Sequence, residues 1–310
     1  MNEREDDGPE GCPAMAATAP RPGVLDELAD RALAGDFGAD PADDTITSAF
    51  VTTQAVRHAG RSGGYRNRVL SLRLEAAVGS CAVEPGPPPE ASPSAGGAGE
   101  PGAAGEAAGD EEVAAGCVGV SVAELLKHPT AAVRTAALDA FLMHHLPHGP
   151  AQGARSVRVP AGSTLAKSTA RARAVAELLP VPPGATVLVV GVVNSLLHAL
   201  RARGLRYLPC DLKGGTTEWG EAVLTDADAH LDRCDALLVT GMTLGNGSAD
   251  RLLAHARATG KPLVAFAQTG SAVWPRLIGS GVTAVSAEPY PFFWLDGGPS
   301  TLHLYRGGDR

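Results

Sequence analysis

The chain has 310 residues, 44% hydrophobic, 19% charged and 4% aromatic, with a net charge of −8. Mean hydropathy is +0.01, too apolar for a wholly disordered chain, and no apolar run approaches the roughly 20 residues that cross a bilayer. Net acidity, with a pI near 5.6, argues against a nucleic-acid binder that works by counterion release. The start, Met1-Asn-Glu-Arg-Glu-Asp-Asp, does not read as a secretory signal. The five cysteines are scattered and include no CxxC pair, so neither a zinc ribbon nor a dithiol site is expected. A cytoplasmic location with reduced thiols, and no membrane or nucleic-acid partner, is the expectation.

Residues 1–22 are polar and unpatterned, as in a disordered tail. Val24 to Leu33 reads as a short helix, with Leu25, Leu28, Ala29 and Leu33 on one face. Ile46 to Ala55 is strand-like, Arg68 to Glu75 alternates as a half-buried strand, and Ala76 to Val83 returns as its hairpin partner. From Glu84 to Gly116 almost no β-branched or aromatic residue occurs, which predicts a flexible insertion at about 84–117. Ser121 with Glu124 forms a capping box, and Thr130 to His144 a second helix. Residues 23–150 therefore read as an α+β domain, a small antiparallel sheet backed by helices.

Residues 151–310 differ in kind. A helix over Ser163 to Leu179 precedes three continuous apolar runs: Thr186 to Gly191, Ala236 to Gly241 and Pro262 to Ala267. Such runs mark strands covered on both faces. Helices over Ser195–Arg203, Ala249–Ala258 and Ala272–Ile278 alternate with them, and short strands at Leu205–Leu208 and Val282–Val285 complete the pattern. This predicts a doubly wound, Rossmann-like α/β domain of parallel βαβ units.

Ligands of such sheets bind at the carboxyl ends of the strands, near the point where strand order reverses. The loops there hold Gly191, Asn194 and Ser195; Cys210 and Asp211 through Glu218; Thr240, Gly241, Thr243, Asn246, Gly247 and Ser248; and Gln268, Thr269 and Ser271. Asn194 or Ser195 would cap one helix and Ser248 another. Asp211 lies about 20 residues beyond Gly191, where a Rossmann domain puts its ribose carboxylate, but the GxGxxG glycines are missing. Asp211 and Glu218 are the candidate base or ligand, Cys210 a buried hydrophobe, and Arg66 the cation that reaches an anionic ligand from the N-terminal domain. Tyr290, Phe292, Phe293 and Trp294 would form a lid or a contact between subunits of a homo-oligomer. His144, His145 and His148 read as a polar helix end rather than a metal site: helix neighbours point about 100° apart, and no carboxylate adjoins them in sequence.

The run from Val187 to Tyr305 resembles the Rossmann-like domain of the family described as "putative heavy-metal chelation". DALLVTGMTLGNGSADRLLAHA is similar to its strand–TG-T-xNGT–helix segment, and KPLVAFAQTGSAVWPRLIGSGVTAVSA fits the segment that follows. SVAELLKHPTAAVRTAALDAF resembles the helical end of its enolase-N-terminal-like domain, with Asp139 where Asn is common. The resemblance implies that fold for residues 23–150. By motif it carries over Thr240, Gly241, Thr243, Asn246 and Gly247. It also implies a link to metals. The expected function is a small-molecule or metal-chelate binding protein, or an enzyme of metallophore or other specialised metabolism, with a divalent metal or metal chelate as cofactor or ligand. An S-adenosylmethionine- or NAD(P)-dependent enzyme and a non-enzymatic assembly partner are the alternatives.

Overall fold

The computed structural model describes residues 23–57, 64–83 and 103–308; the expected tail at 1–22 lies outside them. α1 (Val24–Leu33) buries Leu25, Leu28, Ala29 and Ala32 along one stripe. β1 (Ser48–Arg57), β2 (Gly64–Leu74) and β3 (Ala77–Val83) follow as an antiparallel meander. Val51 stands opposite Leu70, and Leu70 opposite Cys81.

The expected flexible insertion is corrected over its second half, since α2 (Ala103–Gly116) is helical. Alanine and glutamate favour helix even where they cannot supply a core, and the end of α2 docks by burying Ala114 and Cys117. Asp110 on α2 pairs with Arg68 on β2. α3 (Val122–Leu125) starts at Ser121 in the anticipated capping box. α4 (Ala131–His145) buries every residue from Thr135 to Leu142, as a helix enclosed on all sides must. It lies against β2 and β3, and Gly79 of β3 has no room for a side chain: a Cβ there would stand 2.0 Å from Ala140 N.

The second sheet is built from β4 (Arg155–Val159), β5 (Thr186–Val190), β6 (Arg206–Cys210), β7 (Ala236–Thr240), β8 (Leu263–Ala267), β9 (Ala284–Ala287) and β10 (Ser300–Arg306). Its order is β4-β10-β9-β8-β7-β5-β6, parallel from β9 to β6 and antiparallel at β4 and β10. α5 (Thr164–Ala176), α6 (Asn194–Ala202) and α7 (Ala249–Thr259) connect it. Val187 and Val189 face α5 and α6, while Leu188 faces the core that holds α7 and the buried residues of α1, β2, α3 and α4. Helices thus cover both faces, and the doubly wound α/β expectation holds. The helix expected at 272–278 is only a 3-10 turn, Trp274–Leu277, with Pro275 inside it. Among the described residues no helix is long and apolar enough to cross a membrane.

Candidate functional site

The chain leaves β5 for β6 on one side and returns past β5 to β7 on the other, so strand order reverses between β5 and β7. Gly191 ends β5 there with φ +92°, and a Cβ on it would stand 2.6 Å from Thr240 Cβ at the end of β7. Only glycine fits. Its N–H donates to Cys210 O at 2.8 Å, joining β6 to the same edge. Beyond Gly191, Val193 occupies the N-cap of α6 and supplies no capping side chain. Asn194 and Ser195 are therefore not caps, contrary to expectation. Leu196 N and Leu197 N donate to Val193 O at 2.8 and 3.2 Å, no side chain caps the helix, and its start keeps the partial positive charge of a helix N-terminus. Asn194 Oδ1 accepts from Glu218 N at 3.4 Å, and Ser195 Oγ meets Ser168 Oγ at 2.8 Å.

Asp211 holds this loop in place: Oδ2 accepts from Val192 N and Oδ1 from Lys213 N, each at 3.1 Å. A dinucleotide pyrophosphate would need the backbone that Asp211 already occupies, with valines at 192 and 193 where glycines are required. The residues do not fit that cofactor. Glu218 lies exposed beside Asn194. Burial pushes the Cys210 thiol up to about 11, helped by the Asp211 charge, as suits a buried hydrophobe rather than a nucleophile.

The turns after β7 and β8 adjoin, since a Cβ on Gly241 would stand 2.4 Å from Thr269 O. Space between them is filled from the N-terminal part, which the sequence reading did not foresee. Thr269 Oγ1 accepts from Ala82 N of β3 at 2.9 Å, and Gly270 N donates to Ser80 O at 2.9 Å. Thr243, 1% exposed, donates to Thr240 O at 2.8 Å. Ser271 is fully buried and donates to Asp139 Oδ1 at 3.4 Å. Thr269 and Ser271 therefore tie the two sheets together, while Thr243 is buried and bonded within its own turn. Ser248 sits at the N-cap of α7 but makes no cap; its hydroxyl donates to Asn246 Oδ1 at 2.7 Å. Asn246 and Gly247 are exposed, as is Arg66 on β2. Gly191 adjoins Thr240, while Asp211 and Glu218 reach the same loop through Val192 N and Asn194. Gln268 follows β8, and its Nε2 is buried with no acceptor among the described residues.

The aromatic segment is largely built into the chain. Phe292 and Phe293 are 2% and 9% exposed, Trp294 stacks on Phe292, and Tyr290 meets Phe50 of β1 edge-on at 5.4 Å. Beneath them Glu288 Oε2 accepts from Arg171 Nε at 2.6 Å, both groups buried, and Glu288 Oε1 accepts from Phe293 N.

A separate buried chain runs across the junction: Tyr305 hydroxyl to His148 Nδ1 at 2.6 Å, His148 Nε2 to Ser271 at 3.4 Å, and Ser271 to Asp139. Asp139 also accepts from Ala272 N at 2.7 Å and Ser80 N at 2.9 Å. Burial pushes its carboxyl up to about 7 against the pull of those donors. Burial, then His303 and Arg276, hold His148 down to about 3, so it is neutral.

The structure also corrects the reading of the paired histidines. A carboxylate does adjoin them: Asp44 Oδ2 is 2.6 Å from His145 Nε2, and Asp44, His144 and His145 each place a ligand atom within 4.8 Å of the others. Asp44 lies 101 positions away from His145 in sequence, so only the fold brings it near. No other group of three or more metal-ligating side chains converges among the described residues.

The seven-stranded sheet, its strand-order switch and the loops at that switch define a Rossmann-like α/β protein carrying an antiparallel α+β unit. Residues 174–286 match the family described as "putative heavy-metal chelation", which bears out the resemblance read from the sequence; the Glu288–Trp294 segment lies just beyond the matched stretch. Among solved structures the chain is similar to a protein of unknown function of the DUF364 family from Pyrococcus horikoshii. That likeness has 12% identity and a TM-score of 0.49, over 91% of this chain and 99% of that one. It is also similar to a mandelate racemase/muconate lactonizing enzyme from Roseiflexus, at 15% identity and a TM-score of 0.35, over 80% of this chain and 90% of that one. No curated protein matches significantly.

Proposed function

We propose that the chain binds a small anionic or metal-chelating molecule at the open edge between β5 and β7, with the anion against the first turn of α6. The observation that carries this reading is an uncapped helix N-terminus at the strand-order switch. Helix N–H groups there favour negative charge. The family match to residues 174–286, described as heavy-metal chelation, supports a metal-chelating ligand. Asp211 and Glu218 are two carboxylates, short of a three-ligand set, and no such set converges here among the described residues. A metal would therefore arrive already held by its chelator, whose carboxylates α6 would receive. Asn194 orients the ligand and Thr240 bounds it.

Asn194→Asp separates binding from folding. The carboxylate keeps the acceptor for Glu218 N and, in the first turn of a helix, adds about 0.3–1 kcal/mol of stability, yet it sets a negative charge where the ligand's anion lies. Equilibrium dialysis of the full chain against ferric citrate and citrate is expected to show saturable binding. In Asn194→Asp that binding weakens at least tenfold while the melting temperature does not fall. Equal binding by both proteins, or none by wild type, removes the proposal; saturable binding of S-adenosylmethionine or NADP+ instead would move the site to the nucleotide alternative.

A further inference from the structure

We infer that Asp44, His144 and His145 form a divalent transition-metal site of their own. It stands apart from the edge between β5 and β7 and does not depend on the function proposed there. The two histidines occupy the last turn of α4, which ends as Leu146 leaves helical geometry at φ −132° and ψ 57°. Carbonyl groups at a helix C-terminus carry partial negative charge, so the position favours a cation. Asp44 comes from the loop between α1 and β1, and backbone bonds fix that loop. Val122 N donates to Asp44 O at 2.8 Å, Ile46 N to Val120 O at 3.0 Å and Gly119 N to Ile46 O at 2.9 Å. The carboxylate is thus presented by a scaffold rather than by a free loop, and its side chain is 14% exposed. Phe141 packs against the His145 ring at 4.8 Å and limits its orientation.

A plain His145–Asp44 ion pair accounts for two of the three residues. It does not account for His144, whose ring stands edge-on to that of His145 with centroids 4.6 Å apart. The obstacle raised by neighbouring helix positions is overcome by the reach of two imidazoles at a helix end. In a tetrahedral zinc site with bonds of 2.0–2.2 Å, adjacent ligand atoms lie about 3.3 Å apart. Metal entry therefore widens the 2.6 Å His145–Asp44 contact and draws His144 inward from within 4.8 Å. Both are side-chain movements. Two imidazoles and one carboxylate suit zinc, cobalt, nickel or copper rather than magnesium or calcium. Three protein ligands leave an outer coordination position for water or a donor atom of another molecule.

Cobalt(II) is the direct probe, because tetrahedral or five-coordinate ligation gives visible d–d absorption that zinc then abolishes by displacement. Untagged full-length protein is expected to bind one Co2+ per chain with such bands. His144→Ala and Asp44→Asn should each weaken binding at least tenfold, and His230→Ala, a histidine elsewhere on the surface, should leave it unchanged. Zn2+ should raise the melting temperature of wild type and not of His144→Ala, a readout that also establishes whether the variants fold. Absence of saturable Co2+ binding in wild type overturns the inference. So does unchanged binding in His144→Ala, which would reduce the cluster to an ion pair.

Discussion

Asp139 and His148 carry opposite protonation histories in one buried chain. Asp139 ionises near 7 when folded and near 3.8 otherwise, so from about pH 4 to 7 the folded state holds a proton that the unfolded state has lost. Its contribution to stability is complete below about 4 and declines as pH rises through that window. His148 is held near 3 when folded against 6.5 otherwise, so its contribution is complete above 6.5 and is lost as pH falls toward 3. Each amounts to about 1.4 kcal/mol per pH unit where only one state is protonated. Between about pH 4 and 6.5 the two slopes oppose and largely cancel. Removing one should expose the other. Relative to wild type, Asp139→Asn should gain about 1.4 kcal/mol per unit as pH rises from 4.5 to 6.5 in urea denaturation, and His148→Gln should lose a similar amount. Stability curves that stay parallel to wild type would contradict this account. Ser271 belongs to the same chain: fully buried and donating to Asp139, it links two titrating groups and is not placed to meet a ligand.

At the scale of elements, the tightest constraint is β3 on α4. A Cβ at Gly79 would lie 2.2 Å from Ala136 O as well as 2.0 Å from Ala140 N, and both atoms are backbone. No rotamer change relieves such a clash, so sheet and helix must separate. Gly79→Ala is expected to cost about 3 kcal/mol, the upper range for overpacked cores; a change in unfolding free energy below 1 kcal/mol would show that the packing is looser than described. Gly79 was not singled out in the sequence, because a glycine in a strand announces close approach without saying by what. Continuous or alternating apolar runs did announce β2, β3, β5, β7 and β8, since burial on one face or two leaves that imprint. β4 and β10 left weaker marks: they pair antiparallel at one end of the sheet, and β4 keeps Arg155, Ser156 and Arg158 exposed. α2 was hidden by composition, because an Ala- and Glu-rich segment orders only once Ala114 and Cys117 find a surface. The strand-end loops were located from sequence, but not their division into an open edge and a closed junction. That division depends on which residues β3 and α4 cover.

The whole molecule is joined by that junction. One hydrophobic core runs from Leu25 and Leu28 of α1 through Leu138 of α4 to Leu188, Leu237 and Leu263 of the large sheet. Thr269 to Ala82, Gly270 to Ser80, and Asp139 to both Ser80 and Ala272 add hydrogen bonds across it. Farther along, Val24 N donates to Asp250 Oδ1 on α7 at 2.6 Å. Parting the two sheets would expose apolar surface on both and leave these donors and acceptors without partners, which costs more than either sheet regains by local freedom. The expected outcome is a single cooperative unfolding unit, despite two sheets and two patterns of sequence. Native-state hydrogen exchange in increasing urea measures this directly. Amides of β2 and β3 should lose protection with the same free energy and the same denaturant dependence as those of β7 and β8. Earlier opening of β2 and β3, at a smaller free energy, would mean that the small sheet unfolds alone and that the junction is an adherent surface rather than a shared core.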